Sequence, residues 1–531
     1  MSYLSSLVST LSLGYYDNNA SAETKISIQS PNLKNNGDTI ESSYQYRRNK
    51  ISKNGNHITV TPEVHDYRFR TVLKPRRTGI MLVGLGGNNG TALFGAITAN
   101  REKMEWRQRN GIQQANYFGS VTQSSTVHLG FDGQEQVHVP FNALLPMVNP
   151  NELVVDGWDI SGANLYEAAL RARVFEPELL DKLKPHMENV KPKPSIYYPD
   201  FIASNQRDRA DNLVAGDNKQ QHLEHVRNDI RRFREENGLE TVIVLWTANT
   251  ERYTDVKPGL NQTADDLLNS IQSNASEISP SNIFAVAAIL EGAHYINGSP
   301  QNTLVPGVIE LAERKKVFVG GDDFKSGQTK LKSALVDFMV SSGIKPESIV
   351  SYNHLGNNDG KNLSEERQFR SKEISKSSVV DDMVAANKTL YPDGKKPDHV
   401  IVIKYVPYVG DSKRAMDEYI SSIFMGGQQT LVIHNTCEDS LLAAPLILDL
   451  IIMTELFSRI TYSNSATSPE FETFHPVLGL LALFLKAPVV PSGTPVGNAF
   501  MKQITALTKL LTIASGCASD NELQLEFFTK L

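Results

Sequence analysis

Cysteine is almost absent from this chain of 531 residues, which contains only Cys437 and Cys517. Two cysteines cannot build a disulfide framework, and their scarcity fits a reducing compartment, so we expect a cytoplasmic protein. The cysteines and the 12 histidines form no set with zinc-ligand spacing. The sequence therefore predicts neither a metal site nor a cysteine nucleophile.

An excess of basic residues is also lacking, because 53 Lys and Arg stand against 59 Asp and Glu, a net charge of -6. Without a cationic surplus the surface cannot hold polyanions nonspecifically, so nucleic acid is not an expected partner. Residues 1–14 lack the basic start and continuous apolar core of a signal peptide. The most apolar later run, residues 441–457, contains Pro445, Asp449 and Glu455, which would be costly in lipid. We interpret it as a buried helix and expect no membrane contact.

The first half of the chain alternates between strand-like and helix-like segments. Residues 15–60 are rich in Asn, Ser and Lys, which predicts an irregular arm. Apolar runs that suit buried strands of a parallel sheet occur at residues 78–83, 153–155, 241–246, 283–289 and 316–319. Helix-like segments lie among them at residues 91–100, 164–174, 221–236 and 263–273. The alternation predicts a doubly wound α/β domain.

The second half indicates a smaller α/β layer inserted into the first domain. The expected elements are a helix at residues 326–342, strands at 400–405 and 429–434, a helix between them at 412–425, a surface loop at 381–398, and C-terminal helices at 441–457 and 477–485. The C-terminal helices would return to pack on the first domain.

A glycine-rich loop, GLGGNNG at residues 84–90, follows the first apolar run and precedes a helical pattern. Glycines let the backbone approach a pyrophosphate, and a helix N-terminus supplies free N–H groups and a positive dipole end. The spacing is one residue longer than the usual dinucleotide fingerprint. The loop indicates dinucleotide binding, with an ordinary strand-to-helix turn as the alternative.

A carboxylate for the adenosine ribose is expected near Asp156 or Asp159, at the end of the next strand candidate. In the usual fingerprint this carboxylate lies about 20 residues after the glycines. Asp156 and Asp159 lie much farther from residues 84–90, so a long insertion must intervene here. A carboxylate at this place disfavours a 2′-phosphate and favours NAD over NADP. Alternatively, Asp159 caps the helix that begins near Asn164.

A second polar loop, GGDDFKSGQTK at residues 320–330, precedes the next helix. Its backbone N–H groups, Ser326 and Thr329 would form a phosphate cradle with the nearby lysines. A capped helix on a charged surface is the alternative, although Asp322 and Asp323 together exceed what capping requires.

Lysines provide the remaining chemistry. Lys372 and Lys376 share one face if their segment is helical, although a solvated face is the alternative. They follow residues 352–360, which are dense in short polar side chains suited to hydroxyl recognition. Lys413 is a further candidate, and Lys486 follows an apolar run, where burial lowers a lysine pKa and permits proton transfer near neutrality. Such a set suits alcohol oxidation and carbonyl chemistry on a phosphorylated polyol.

Segments throughout the chain resemble the eukaryotic myo-inositol-1-phosphate synthases, in the order found in that family. They are GLGGNNG at 84–90, GWDI at 157–160, WTANTER at 246–252, GDDFKSGQT at 321–329, SYNHLGNNDG at 351–360, KEISK at 372–376 and CEDS at 437–440. The resemblance implies an NAD-dependent isomerase that converts D-glucose 6-phosphate to 1D-myo-inositol 3-phosphate, the first committed step of inositol and phosphatidylinositol biosynthesis. In that family NAD oxidises C5, a proton leaves C6, the enolate closes on the C1 aldehyde in an aldol step, and NADH reduces the product.

The same resemblance implies roles for individual residues. Lys372 would take the C5 hydroxyl proton, Lys486 would assist there and at the forming oxyanion, and Lys376 and Lys413 would hold the phosphate; fixed positive charge suits an enolate beside a phosphate. The implied substrate-binding residues are Asp323, Ser326, Gly327, Gln328, Asn353, Asn357 and Asp439. The implied cofactor-binding residues are Gly86, Gly87, Asn88, Asn89, Asp159, Ser195, Ile196, Gln206, Arg209, Thr247, Ala248, Asn249, Thr250, Gly298, Ser299, Asp323, Ser326, Asn357, Asn358, Asp359, Lys372, Asp411, Asp439 and Ser440.

Composition and resemblance together give the expected domains. The polar composition predicts an N-terminal arm, placed at residues 1–65, which has no match in the family. The remaining chain is expected to form a Rossmann-type doubly wound NAD-binding domain at 66–329 plus 442–531, and a smaller α/β domain with a mixed sheet at 330–441 for catalysis and tetramerisation. A cytoplasmic homotetramer and activation by ammonium or another small cation are further implications. Two alternatives stay open: an NAD dehydrogenase of a phosphorylated polyol that releases NADH, and a non-catalytic NAD-binding regulator.

Overall fold

The computed structural model describes residues 9–15, 24–133, 135–464 and 468–518. The strands in these ranges are β1 (Ser9–Tyr15), β2 (Thr24–Ser30), β3 (Leu33–Asn35), β4 (Thr39–Asn54), β5 (His57–Val72), β6 (Thr78–Val83), β7 (Glu105–Gln108), β8 (Gly111–Gln114), β9 (Thr126–Asp132), β10 (Glu135–Pro140), β11 (Val154–Asp159), β12 (Lys193–Pro194), β13 (Thr241–Trp246), β14 (His294–Asn297), β15 (Val319–Gly320), β16 (Lys345–Leu355), β17 (Asp398–Tyr405), β18 (Ser412–Ser422), β19 (Gln428–Glu438), β20 (Ile460–Asn464) and β21 (Ser468–Thr473).

The α-helices in the same ranges are α1 (Asn88–Arg101), α2 (Val121–Ser124), α3 (Leu165–Ala172), α4 (Pro177–Met187), α5 (Lys219–Glu236), α6 (Ala264–Gln272), α7 (Pro280–Leu290), α8 (Pro306–Lys315), α9 (Gly327–Ser341), α10 (Asn358–Asn362), α11 (Glu366–Ser377), α12 (Asp381–Ala386), α13 (Asp439–Ser458) and α14 (Phe500–Ala514).

The central sheet is parallel, in the order β12-β11-β6-β13-β14-β15. Every residue of β6 and β13 is buried, as expected for continuous apolar strands covered on both faces. The chain moves from β6 to β11 on one side and returns to β13 on the other, so a crevice opens where the strand order reverses. The doubly wound α/β prediction is therefore confirmed, and its crevice lies at the carboxyl ends of the strands.

A second, mixed sheet has the order β17-β16-β18-β19. β16 runs parallel to β17 and antiparallel to β18, and β18 runs antiparallel to β19. The expected mixed sheet is present, but the prediction of a helix at residues 412–425 was wrong, because β18 occupies most of that stretch. Its buried residues alternate with half-buried ones from Ala415 to Ser421, a period of two that helix-favouring residues such as Met416 and Glu418 obscured.

The prediction of an irregular arm at residues 15–60 was wrong for much of that range. β4 and β5 form one long antiparallel hairpin, paired from Thr39 opposite Val72 to Asn54 opposite His57. Near its turn, both faces of the hairpin are exposed, which explains the polar composition that suggested disorder. The part of the arm at residues 16–23 lies outside the described residues.

Three other segments differ from expectation. Residues 283–289 lie in helix α7, not in a strand, because a helix buried all round has no apolar stripe to distinguish it. Only Gly479–Phe484 of the expected C-terminal helix is helical, as a 3-10 segment. The expected loop at 381–398 begins with the short helix α12 and ends at the first residue of β17.

Helix α13 is a core helix, as predicted for residues 441–457. It is long and apolar enough to cross a membrane by composition, yet 83% of its most apolar 18-residue window is buried within the protein. Leu450, Ile451 and Met453 are fully buried, and each such side chain contributes roughly 1.5–3 kcal/mol to folding. The first turns of α13 include Asp439 and Ala443, which line the crevice. Burial of the helix therefore also fixes the position of this wall.

Candidate active site

A deep cleft with about 1230 Å³ of empty space lies where the two sheets meet. That space includes solvent at the open mouth, and residues from the glycine-rich loop and from the lysine-bearing segments line the same cleft. The loops after β6, β11, β13, β14 and β15 contribute to one side, and the ends of β16 and β19 contribute to the other. The predicted residues that line the cleft are Gly87, Asn88, Asn89, Asp159, Ser195, Ile196, Arg209, Thr247, Ala248, Asn249, Thr250, Gly298, Ser299, Asp323, Ser326, Asn357, Asn358, Asp359, Lys372, Lys413, Asp439 and Lys486.

The glycine loop turns sharply from β6 into α1. Gly84 has φ +100, and a Cβ atom there would lie 2.7 Å from the Cα atom of Ala248, so only glycine fits. Gly87 is the N-cap of α1, and no side chain caps the helix. The first turn of α1 therefore presents backbone N–H groups to the cleft, an arrangement that suits an anionic ligand.

Asp159 occupies the position expected for a ribose-binding carboxylate. It is buried, accepts a hydrogen bond from the backbone N–H of Ser161 at 2.9 Å, and lies 3.5 Å from the guanidinium of Arg209. It does not cap α3, because Asn164 does so in a capping box with Glu167. Asp156 was the other candidate, but it pairs with Lys193 at 3.0 Å outside the cleft.

Unpaired polar atoms mark the cleft as a site for a polar ligand. Thr247 Oγ1, Asn249 Nδ2 and Arg209 Nε are buried and have no hydrogen-bond partner among the residues that the structure describes. Buried polar groups are nearly always satisfied, so three such groups in one cleft indicate a missing partner. A dinucleotide, which carries hydroxyl and phosphate oxygens along its length, fits this pattern.

A carboxylate between two lysines lies at the inner end of the cleft. Asp323 Oδ1 is 3.0 Å from Lys372 Nζ, and Asp323 Oδ2 is 2.9 Å from Lys486 Nζ. Ser375 Oγ also donates to Asp323 Oδ2, at 2.7 Å. Asp323 has φ +62, a strained conformation for a residue with a side chain, which the surrounding contacts maintain.

The two lysines have different acidities. Burial lowers the pKa of Lys486 to about 7, helped by the positive charges of Lys372 and Lys413, although Asp323 opposes the shift. Burial also acts on Lys372, but the charges of Asp323 and Asp359 outweigh it and raise its pKa. Burial would raise the pKa of Asp323, yet the two lysines lower it to about 2. The carboxylate therefore stays ionised.

The other two candidate lysines lie on the side of the mixed sheet. Lys413 Nζ is 3.4 Å from Asp439 Oδ1, and Lys376 Nζ donates to Asn353 Oδ1 at 3.4 Å. Burial lowers the pKa of Lys376 well below its usual value, and Lys413 is the next largest cause. The neighbouring positive charges thus disfavour the protonated form of Lys376, and a phosphate bound beside it would favour that form again.

Some predicted residues adjoin the cleft without forming part of its lining. Asp411 accepts from Asn88 Nδ2 at 3.1 Å and from Ser440 Oγ at 2.8 Å, which joins α1 to α13. Gln206 accepts from Asn358 Nδ2 at 2.8 Å. The predicted residues that do not line the cleft are Gly86, Gln206, Gly327, Gln328, Asn353, Lys376, Asp411 and Ser440.

Sequence reasoning missed several residues that line the cleft. Arg171 is the main one: its Nη2 donates to the carbonyl of Gly86 at 2.7 Å and so braces the glycine loop. It lies near the end of α3, and no motif in the sequence identified it. Ile202, Phe324 and Ala443 add apolar lining, a property that does not distinguish them from core residues in the sequence.

Comparisons with known proteins agree with this geometry. A family model described as myo-inositol-1-phosphate synthase matches residues 78–512. The chain is 56% identical to inositol-3-phosphate synthase 1 of Macaca fascicularis, over 95% of this chain and 90% of that protein. It is 55% identical to inositol-3-phosphate synthase of Dictyostelium discoideum, over 94% and 98% of the two chains.

Solved structures give the same result. The crystal structure of inositol-3-phosphate synthase from Caenorhabditis elegans is 67% identical, with a TM-score of 0.93 over 95% of this chain and 98% of that one. A myo-inositol-1-phosphate synthase-related protein from Thermotoga maritima has a TM-score of 0.58 at 19% identity, over 83% and 99% of the two chains. The latter likeness concerns the fold alone.

Proposed function

Because this chain belongs to the myo-inositol-1-phosphate synthase family, we propose a specific division of work among the residues of its cleft. The chain is an NAD-dependent isomerase that converts D-glucose 6-phosphate to 1D-myo-inositol 3-phosphate, the first step of inositol biosynthesis. The observation on which the proposal depends is the position of Asp323 between Lys372 and Lys486 at the inner end of the cleft.

The cofactor half of the cleft suits NAD. The open first turn of α1 would hold the pyrophosphate, and Asp159 would accept hydrogen bonds from the adenosine ribose. Thr247, Asn249 and Arg209 would satisfy their unpaired atoms on the bound dinucleotide. NAD supplies hydride acceptance from C5 of the sugar and hydride return at the end of the reaction. The backbone N–H of Thr250 donates to Oδ1 of Asp359 at 3.1 Å. This hydrogen bond holds the Asp359 carboxylate in the lining of the same cleft.

Lys486 is the better proton acceptor of the two lysines beside Asp323. Its pKa of about 7 leaves a large neutral fraction at neutral pH, which can take the C5 hydroxyl proton. Lys372 has a raised pKa, keeps its proton, and would stabilise the negative charge that develops on the sugar oxygen. The family resemblance suggested the opposite primary role for Lys372, so this assignment is a proposal from the electrostatics of this chain.

The phosphate of the substrate would bind at the start of α9. Ser326 and the N–H groups of Gly327 and Gln328 provide a helix N-terminus, and the side chain of Ser326 makes no capping hydrogen bond there. Lys413 would supply positive charge, and Lys376 would gain a proton when the phosphate binds, because an adjacent anion raises the pKa of an amine. Asn353, Asn357 and Asp439 would orient the sugar hydroxyls through their amide and carboxylate groups.

We further propose a cytoplasmic homotetramer that ammonium or another small cation activates. The proposed domains are the arm at residues 1–65, an NAD-binding domain at 66–329 plus 442–531, and a catalytic and tetramerisation domain at 330–441, and β5, α9 and α13 each cross one of these bounds. The location of β16 to β19 within the last range supports that division. Sedimentation analysis of the purified protein and assays with and without ammonium test these points.

The experiment that tests the proposed function incubates the purified protein with glucose 6-phosphate and catalytic NAD. Phosphorus NMR follows inositol phosphate while absorbance follows NADH. Many turnovers per NAD without lasting NADH are expected. Stoichiometric NADH would indicate a dehydrogenase, and NAD binding without product at varied pH and ammonium would indicate a regulator.

A further inference from the structure

A buried chain of hydrogen bonds lies on the mixed sheet behind the start of α9. Lys332 donates from Nζ to Ser351 Oγ at 2.7 Å and to His399 Nε2 at 2.9 Å. Ser351 Oγ donates to Asp417 Oδ1, which also accepts Gln328 Nε2 at 2.7 Å. We refer to these five residues as the Lys332 network. It connects β16, β17 and β18 to the first turn of α9.

The charges within the Lys332 network balance. Lys332 and Asp417 are each 3% exposed, and Ser351 bridges their opposite charges. His399 is neutral, because burial and the charge of Lys332 lower its pKa to about 3. Its Nδ1–H donates to the carbonyl of Ser377 at 3.2 Å, which leaves Nε2 to accept from Lys332.

The network is adjacent to the proposed phosphate site. Gln328 and Lys332 are four residues apart and so share one face of α9. On β18, Asp417 lies two residues from Ala415, and Ala415 is opposite Asn353, the partner of Lys376. The positive charge of Lys332 is also among the causes that lower the pKa of Lys376. The network thus stands one step behind the side chains that face the phosphate.

We propose that Lys332 is a positioning residue for phosphate recognition: its charge balances Asp417, and this pair fixes Gln328 and the first turn of α9 against the sheet. Removal of one partner from a buried pair leaves an uncompensated charge. Without Lys332, the negative charge of Asp417 would stand behind the site and oppose a phosphate dianion. The inference rests on the proposed function, which binds the substrate phosphate at Ser326 to Gln328.

The central test replaces Lys332 with methionine, which has similar length and no charge. We expect Lys332→Met to raise the KM for glucose 6-phosphate at least about tenfold, the effect of 1.4 kcal/mol of lost binding free energy. Competitive inhibition by inorganic phosphate should weaken by a similar factor. The kcat and the KM for NAD should change by less than about twofold.

The double variant Lys332→Met with Asp417→Asn removes both charges. We expect it to recover most of the lost affinity for glucose 6-phosphate, because no unbalanced charge remains. Lys219→Met is the matched control: Lys219 is also a buried lysine, and it donates to the carbonyls of Ala275 and Ser276 away from the phosphate site. That control should leave the KM for glucose 6-phosphate unchanged.

Folding is checked separately, by the thermal midpoint and sedimentation of each variant. If Lys332→Met fails to fold, Ser351→Ala breaks the bridge without a change in charge and should raise the same KM. An unchanged KM in Lys332→Met or Ser351→Ala, or losses that add in the double variant, would overturn the inference. Failure of the wild-type protein to form inositol phosphate would instead refute the proposed function.

Discussion

The Nζ atom of Lys486 lies 2.9 Å from Oδ2 of Asp323, and the two residues are also joined through their backbones. The N–H of Lys486 donates to the carbonyl of Asp323 at 2.9 Å. The lysine and the carboxylate are thus held together by both side chain and main chain, in a place nearly closed to water. Proton transfer at this position requires little rearrangement of the protein.

Replacement of Lys486 by alanine should abolish turnover. We expect kcat to fall by about 10²–10⁴-fold, the usual contribution of a positioned acid or base, while NAD binding stays intact. Fluorescence titration with NAD and a turnover assay measure the two effects. Wild-type activity in Lys486→Ala would refute its role, and Lys219→Ala controls for the loss of another buried lysine.

The pH dependence of kcat/KM should report the acidity of Lys486. Because the neutral amine accepts the proton, kcat/KM should rise as pH increases through about 7, the pKa of Lys486. Asp323 raises that pKa by its negative charge. In Asp323→Asn the rise should therefore move to lower pH. A shift to higher pH, or no shift, would contradict the proposed role of the pair.

The sequence predicted the parallel sheet because its strands are short apolar runs, and glycine-rich loops follow the runs at residues 78–83 and 316–319. β6 and β13 were found at their full lengths, and the loops that follow them line the cleft. The mixed sheet was harder, because its strands carry site residues. β16 includes Ser351 and Asn353, polar side chains that are buried because they serve networks. Polar residues therefore occupy buried positions of β16, and the alternation of apolar and polar residues that identifies a strand is lost near the site.

Contacts between distant segments could not be predicted from single motifs. Asp323 and Lys486 are far apart in sequence, and only the packing of residues 477–489 against the β15 end brings them together. The same holds for Asp411 and Asn88, which join the two sheets. The family resemblance and the polar loops predicted most of the cleft lining, and the apolar flank of Lys486 predicted its lowered pKa, whereas the pairing of these side chains required the fold.

Lys376→Ala should mainly weaken binding of the sugar phosphate. Lys376 is buried beside Asn353 and has no carboxylate partner among the described contacts. We expect the KM for glucose 6-phosphate to rise about tenfold or more, since hydrogen bonds to charged groups contribute about 1.5–3 kcal/mol. Steady-state kinetics at saturating NAD measures this change. An unchanged KM would refute contact with the phosphate.

Asp159→Asn should weaken NAD binding and relax the discrimination against NADP. Loss of a charged hydrogen-bond partner, worth about 1.5–3 kcal/mol, should raise the KM for NAD about tenfold or more. Arg209 lies 3.5 Å from Asp159, so neutralisation of the carboxylate frees a guanidinium for a 2′-phosphate. The ratio of activities with NADP and NAD should therefore increase.

The control for this change is Asp156→Asn, which removes a carboxylate from the same strand. Asp156 pairs with Lys193 outside the cleft, so its replacement should leave both cofactor constants unchanged. If the two variants had equal effects, the carboxylate at position 159 would not contact the ribose. A difference confined to Asp159 would mean that this aspartate, and not Asp156 three residues before it, sets the cofactor preference.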